Sequence, residues 1–522
     1  MKAGIDLGNC NSSVQINVGQ GVIMDLDKAQ GVPTLFMHNK ETGKNHFGEE
    51  CQNQAYAFAH REDVVRYIKT KARNEPNKLN TPGTIVSGGE SYSIREVIKL
   101  YLEHLISRAQ ESSRQMFSND TLESLCITAP ATSGHKMMLS TEYRNLLIEI
   151  LSEITGLSEE RIHVISEPVA AAIHYFSDTL SNASYKNETI LVFDLGGGTL
   201  DITVMTREYA GGSYCYREKK IDGDPELGGR DWDEALAEFV LRDKLDLDPS
   251  APGFLNEAEK CEFMEAIVKA KHDLSISNRA MLSFFINNEL QGTFITVDEF
   301  EKVTEELRNR AMSLTKKVID SYDGSIDKVI LVGGASNMPQ IRKAIEDTFP
   351  WLEKSNIFLH EPSKAIAKGA AIYLGVGDIP TPVVHVVERT YGWSSMNCNK
   401  IPPREMIYNT LMIDTPFPDG SDTVSSDGGS GFKAVYDDQE KVRFTVYESG
   451  VRASECEDGH WANFGADQNT CGIEVSIDIP TEYIGKASQY LLYPKLVLNK
   501  NGILKLEVYD EGGELLKDGK NE

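Results

Sequence analysis

The chain has no GxxxxGK[ST] loop and no GxGxxG run. The two familiar glycine-rich phosphate cradles are therefore excluded, and any phosphate site must be built differently. No CxxC pair occurs among Cys10, Cys51, Cys126, Cys215, Cys261, Cys398, Cys456 and Cys471. That scatter reads as reduced thiols of a cytoplasmic protein, not a disulfide framework. No stretch of about 18 apolar residues is present, so no membrane span is expected. The N-terminus enters Ala3-Gly4-Ile5-Asp6-Leu7-Gly8 at once, without the basic and apolar regions of a signal peptide. Basic residues are in deficit, 53 Lys+Arg against 79 Asp+Glu, for a net charge of −26. This weighs against nucleic acid and anionic lipid as partners, while a local basic groove for a phosphorylated small molecule is allowed. What remains is ordinary: 522 residues, 40% hydrophobic, with 42 Gly and 19 Pro. Disordered and collagen-like chains are excluded, and the length suits three or four structural units.

Two segments share a pattern, Gly4-Ile5-Asp6-Leu7-Gly8-Asn9-Cys10 and Val192-Phe193-Asp194-Leu195-Gly196-Gly197-Gly198-Thr199. Each is an apolar strand, an aspartate, a glycine-bearing turn and a second apolar strand. The pairing predicts two related lobes, about 1–187 and 188–377. Helices lie between: Ser93 and Glu96 have capping-box spacing before an apolar stripe from Ile94 to Ile106, as do Thr296 and Glu299 before Phe300. After Val329-Ile330-Leu331-Val332 and Gly333-Gly334, Asn337 is expected as an N-cap with Pro339 in the first turn. Strands alternating with helices predict α/β. Residues 378–388, with Pro380 and Pro382, read as an extended linker. Beyond it, 389–522 alternates with period two and carries Asn501-Gly502 between apolar runs, predicting a β-sandwich with a hairpin there. Ser421 to Gly431 reads as a loop.

Backbone N–H groups in a glycine turn form an anion-binding nest. Two facing turns could clamp a polyphosphate, with Asp6 and Asp194 at their mouths holding Mg²⁺ through water. The alternative is two ordinary hairpins in which aspartate favours the turn. Glu167-Pro168-Val169-Ala170-Ala171-Ala172 starts a helix. Its alanines, with Ala365, Ala367, Gly369, Ala370 and Ala371, predict two small-faced helices in close contact, either plain packing or a hinge. Cys456, His460 and Cys471 are too irregular for zinc and read as ordinary residues. Cys10 at a phosphate nest would have a lowered thiol pKa, or be a small residue beside the nucleotide.

Together these segments resemble the actin, sugar-kinase and heat-shock ATPase superfamily, and most closely the seventy-kilodalton heat-shock chaperone family. The likeness covers Gly4 to Ser13, Val192 to Asp201, Ser166 to Ala172, Gly223-Asp224, Leu227 to Asp233, Ile330 to Ser336 and Glu361 to Ala371. It continues in Tyr436 to Glu448 and Leu498 to Asp510, in order along almost the whole chain. It implies an actin-like ATPase domain over 1–377 and a polypeptide-binding sandwich, coupled through slow hydrolysis of Mg-ATP to ADP. It further implies that Asp6 and Asp194 hold Mg²⁺, that Thr199 contacts the γ-phosphate, and that Glu167 and Asp201 orient the attacking water. Lys69 matches the catalytic lysine, with Arg66 or Lys71 taking the role in a shifted register. Gly8, Asn9, Cys10, Gly196, Gly197, Gly198, Gly228 and Gly229 would line the phosphates. Lys271, Ser275, Gly333, Gly334 and Ala335 would hold the adenosine. Unfolded polypeptide, J-domain proteins and nucleotide-exchange factors are the implied partners.

The departures carry expectations of their own. Asn9-Cys10 stands where the family has two threonines, implying slower hydrolysis. His272 and Asn337 replace arginines around the adenine, implying weaker affinity. Pro130 matches the switch proline but lacks the aromatic pair after it. No helical lid follows the last hairpin. An ATP-driven chaperone is the leading reading. An ATP-binding regulatory or scaffold protein with weak or no turnover is the alternative, and a small-molecule kinase is disfavoured by the sandwich.

Overall fold

A repeated aspartate-ended hairpin generates the first two-thirds of the fold. The computed structural model describes residues 1–18, 23–26, 31–53, 55–118, 120–131, 137–138, 140–179, 187–210, 213–248, 255–286, 289–375, 381, 383–418, 421–427, 429, 431–465 and 468–520. Strand Lys2–Asp6 pairs antiparallel with Asn11–Asn17 and parallel with Ser124–Ala129, which pairs parallel with Ile162–Ser166. The second sheet repeats this plan. Glu188–Leu195 pairs antiparallel with Leu200–Ala210 and parallel with Lys328–Val332, which pairs parallel with Ile357–Leu359. Even the register repeats, Asp6 facing Ser13 and Asp194 facing Asp201. The central strands are buried on both faces, which is why they read as unbroken apolar runs.

Helices Glu167–Asp178 and Ala365–Tyr373 cross between the sheets, and only small residues fit there. A Cβ on Gly369 would lie 1.7 Å from the Ala170 carbonyl oxygen, and one on Gly4 would lie 2.2 Å from the Ala371 nitrogen. Both expected capping boxes form, at Ser93/Glu96 and Thr296/Glu299. Two local expectations fail. The helix after Thr296 is interrupted at Thr304, whose backbone leaves the helical region at φ −105° and ψ 12°, into Val297–Val303 and Glu305–Asp320. Met338, not Asn337, precedes helix Pro339–Thr348, since Asn337 ends the preceding 3₁₀ turn Gly334–Asn337.

The C-terminal strands form two sheets. One runs Trp461–Ala462, Arg404–Leu411, Thr390–Asn397, Lys441–Ser449, Asn469–Asp478. The other runs Thr423–Asp427, Tyr493–Asn499, Leu504–Tyr509, Leu515–Lys520. Alternating side chains, among them Trp393, Phe444, Val475, Leu496 and Leu506, make a shared core. The segment read as a loop contains the strand Thr423–Asp427, anchored by buried Val424. The Asn501-Gly502 turn is wider than a two-residue hairpin. Asn499 and Ile503 close it, and Gly502, at φ +82°, packs on Arg144.

Of the expected linker, 378–380 and 382 lie outside the described residues. Val383–Val384 is a strand, not a free connection, pairing parallel with Tyr216–Arg217 at the edge of the second sheet. The sandwich docks on both lobes. Arg144 bridges Glu388 at 2.6 Å, Asn501 Oδ1 accepts from Val164 N, and Asp414 joins Lys220 at 3.0 Å and also Arg452. Arg452 reaches Asp222 of the second lobe at 3.4 Å. No helix among the described residues is long and apolar enough to cross a membrane.

Candidate functional site

The two hairpin turns face one another across a cavity of ≈ 580 Å³ between the lobes. Gly197 and Gly198 bring the second turn against the first. A Cβ on Gly197 would lie 2.6 Å from Cys10 Sγ, and one on Gly198 would lie 2.9 Å from Asn9 Nδ2. Asn9 is fixed by Thr70, whose hydroxyl donates to Asn9 Oδ1 at 2.8 Å. The second turn closes through Gly196 N to the Thr199 carbonyl, and the start of helix Gly229–Phe239 locks onto it through Gly229 N to the Gly196 carbonyl and Arg230 N to the Gly197 carbonyl.

Four charged groups meet at the base. Tyr67, in the left-handed region at φ 57°, starts helix Ile68–Asn74, whose Lys69 and Arg73 are buried at the cavity wall. Lys69 Nζ is hydrogen-bonded to Glu167 Oε1. Asp6 and Asp194 complete the group, and Asp194 Oδ2 is buried without a hydrogen-bond partner. Burial pushes the Asp6 carboxyl up to about 7, with Glu167 adding to the rise and Lys69 and Thr128 opposing it. Burial likewise raises Asp194, helped by Glu167, Asp201 and Asp6. Burial pulls Lys69 down, but Glu167, Tyr143 and Asp6 outweigh it and hold the ammonium above its usual range. Two carboxylates that resist ionisation, one with an unpartnered oxygen, are suited to a hard cation.

A pH dependence follows. Asp6 binds its proton more tightly folded than unfolded, so its contribution is fully present below about pH 4 and is lost as pH rises through about 7. Protein stripped of metal and nucleotide should melt at a higher temperature at pH 5.5 than at pH 8 through this group. The Asp6→Asn variant should show a smaller difference, as thermal unfolding at the two pH values would measure.

The opposite end of the cavity is walled by Lys271, His272, Ser275, Gly333, Gly334, Ala335, Asn337 and Met338. Lys271 Nζ donates to the Gly229 carbonyl at 2.8 Å and bridges Asp233 at 2.8 Å. Gly333 sits at φ +78°, and a Cβ there would lie 2.4 Å from the Leu195 carbonyl oxygen, so the backbone itself forms this wall. Asp6, Gly8, Asn9, Cys10, Lys69, Glu167, Asp194, Gly196, Gly197, Gly198, Thr199 and Gly229 are also in the lining.

Gly228 and Asp201 are not in it. Gly228 packs behind the second turn, where a Cβ would lie 2.4 Å from Gly198 N. Asp201 is fully buried one strand away, and its Oδ1 accepts from Ala131 N at 3.2 Å. Arg66 turns away to bridge Glu265 at 2.6 Å, and Lys71 is absent from the lining, which leaves Lys69 as the inward cation of that helix among the three considered. Cys10 faces the cavity, but burial raises its thiol pKa, with Asp233 adding and Lys271 and Arg230 opposing. The expected lowering is thus reversed. Sequence reasoning missed Thr70 and Arg73, and also Glu361, Pro362, Ser363, Lys364 and Ile366 of the wall. The one available signal was helical spacing, since Arg73 follows Lys69 by one turn.

Glu265 also bridges Arg61 at 2.8 Å, so one carboxylate on helix Glu257–Leu274 holds two arginines from across the cleft. Half-exposed bridges contribute about 0.5 kcal/mol each. Glu265→Gln should therefore speed release of a bound nucleotide about fivefold, measured by stopped-flow displacement of a fluorescent analogue.

Comparison with known proteins agrees with this geometry. The sequence profile described as Hsp70 protein matches residues 2–388, well over half of the chain. Members of that family are ATP-dependent chaperones that bind ATP or ADP with Mg²⁺, unfolded polypeptides and co-chaperones. A duplicated two-lobed fold, a cleft between facing glycine turns and the extent of the match lead to one conclusion: this chain belongs to the Hsp70 family.

Proposed function

We propose that the protein binds and slowly hydrolyses Mg-ATP in this cleft, and that the nucleotide controls polypeptide binding by the sandwich. The observation that carries the reading is the buried cluster of Asp6, Lys69, Glu167 and Asp194 beneath two facing glycine turns. Asp6 and Asp194 would hold Mg²⁺, as the orphaned Asp194 Oδ2 suits. Bound magnesium would neutralise charge on the transferring phosphoryl group. The turn N–H groups of Gly8 to Cys10 and Gly197 to Thr199 would cradle the phosphates, and the Thr199 side chain would contact the terminal one. Lys69 supplies positive charge there, and Glu167, held by Lys69, orients water. Asp201 acts indirectly as a positioning residue through Ala131 N. Lys271, Ser275 and the Gly333-Gly334-Ala335 backbone hold the adenosine. Eight free cysteines suit a reducing cytoplasm.

A buried path supports coupling. Ala131, next to Asp201, packs with Ile221 of the second lobe, Val386 of the strap and Ile413 of the sandwich. Around it, Arg452 and Lys220 converge on Asp414. We propose domains near 1–377 and 389–522, with 383–388 as the docking strap. The test is affinity for a fluorescent unfolded peptide in ATP and in ADP. Weaker binding in ATP is expected, and Asp414→Ala should shrink the difference several-fold. Nucleotide binding with no effect on peptide would favour the scaffold reading, which the Asn9-Cys10 turn motivates.

A further inference from the structure

Behind the cleft, four side chains outside the proposed mechanism converge. Helix Glu167–Asp178 contributes His174 and Asp178, one turn apart on one face. The segment after strand Ile357–Leu359 contributes His360 and Glu361. His174 Nε2 lies 3.4 Å from Asp178 Oδ2 and 3.6 Å from Glu361 Oε2, and His360 Nε2 lies 3.8 Å from Asp178 Oδ2. Ligand atoms of His174, Asp178 and His360 all lie within 4.8 Å of one another. His360 Nε2 is buried without a hydrogen bond, and the His174 side chain is only 5% exposed. Two imidazoles turned towards a shared carboxylate have the layout of a metal cage, not of a surface ion pair.

We propose that His174, His360 and Asp178, with water completing the shell, bind one divalent transition cation of the zinc type. Zinc takes nitrogen and oxygen ligands at about 2.0–2.2 Å, so tetrahedral donors sit about 3.3–3.5 Å apart. The histidine–Asp178 spacings need to close by only a few tenths of an ångström, and no pair of the three by more than about 1.5 Å. Mixed imidazole and carboxylate donors select zinc and its neighbours over magnesium or calcium. Lys368 Nζ, 2.5 Å from Glu361 Oε2, is the competing cation. It holds Glu361, so Asp178 is the carboxylate ligand of the set. Because Glu167 begins the helix and Glu361 lines the cleft, the ion would staple the crossing helix to the edge of the second sheet directly behind the nucleotide. The inference is independent of the chaperone reading.

The test uses the full chain, freed of metal by chelation and titrated with Co²⁺ and Zn²⁺ near neutral pH. Expected are one ion per chain beyond any held by Asp6 and Asp194, the visible bands of tetrahedral cobalt, and a Zn²⁺-dependent rise in melting temperature. His360→Gln and Asp178→Asn should each weaken binding at least ~10-fold. Asp178 is 53% exposed, so its variant is expected to fold normally. His60→Gln, in the separate His60, Glu62, Asp63 cluster, should change nothing. Absence of saturable binding, or binding that survives both His360→Gln and Asp178→Asn, would overturn the proposal.

Discussion

Lys69→Ala is expected to slow single-turnover hydrolysis of Mg-ATP by about 10²–10³-fold, the usual cost of removing one preorganised charge partner from a dry site. Lys69 is the direct partner of Glu167 and lowers the charge cost of Asp6 and Asp194. Its loss leaves the buried Asp6, Glu167 and Asp194 carboxyls without their shared ammonium. The nucleotide-free variant should therefore also lose about 3 kcal/mol of stability, because breaking a buried pair strands its partner. Magnesium nucleotide should restore part of that loss. Nucleotide affinity should change far less than rate, since the turns and adenosine wall are intact. Rapid-quench hydrolysis and urea denaturation, each with and without Mg-ADP, measure both effects. An unchanged rate would remove Lys69 from the mechanism.

Gly369→Ala is expected to cost about 3 kcal/mol or more, the upper end for overpacking. The added methyl would lie 1.7 Å from the Ala170 carbonyl oxygen and 2.4 Å from its carbon. Both are backbone atoms of the crossing helix, so no side chain can swing aside. The two helices must separate, and the strand Lys2–Asp6, whose Gly4 abuts Ala371, must move with them. Both aspartates hang from sheets set by this crossing, so ATP affinity should fall together with melting temperature. Thermal unfolding and nucleotide titration of Gly369→Ala, with Gly292→Ala as the control, check this. A Cβ at Gly292 meets only the Leu282 carbonyl oxygen at 3.9 Å, an ordinary contact outside the cleft, so that control should unfold and bind nucleotide like the parent protein.

The duplicated architecture was legible because its signals are local. A strand, an aspartate and a glycine turn recur in order, and the small residues of the crossing helices mark close approach. Capping boxes at Ser93 and Thr296 were legible for the same reason. Most failures came where a distant partner decides, though not all. Asn337 has the composition of a cap, yet it ends the 3₁₀ turn Gly334–Asn337, so Met338 takes the capping place. The glycine-bearing turn near Asn501 reads as a tight hairpin, yet it widens to meet Arg144 and Val164. Asp201 reads as a cleft residue, but strand alternation turns it inward to Ala131. Cys10 lies beside Lys271 and Arg230, yet desolvation outweighs both cations. Thr70 and Arg73 were missed because no local pattern marks the left-handed Tyr67 that aims their helix.

The central claim is a hydrolytic cleft coupled to the sandwich. Its most direct test is single-turnover hydrolysis of Mg-ATP by the full chain, with and without an unfolded polypeptide, against Asp194→Asn as the blank. The account predicts slow turnover above the blank that accelerates when polypeptide is added. Turnover no faster than the blank, or a rate indifferent to polypeptide, would contradict it.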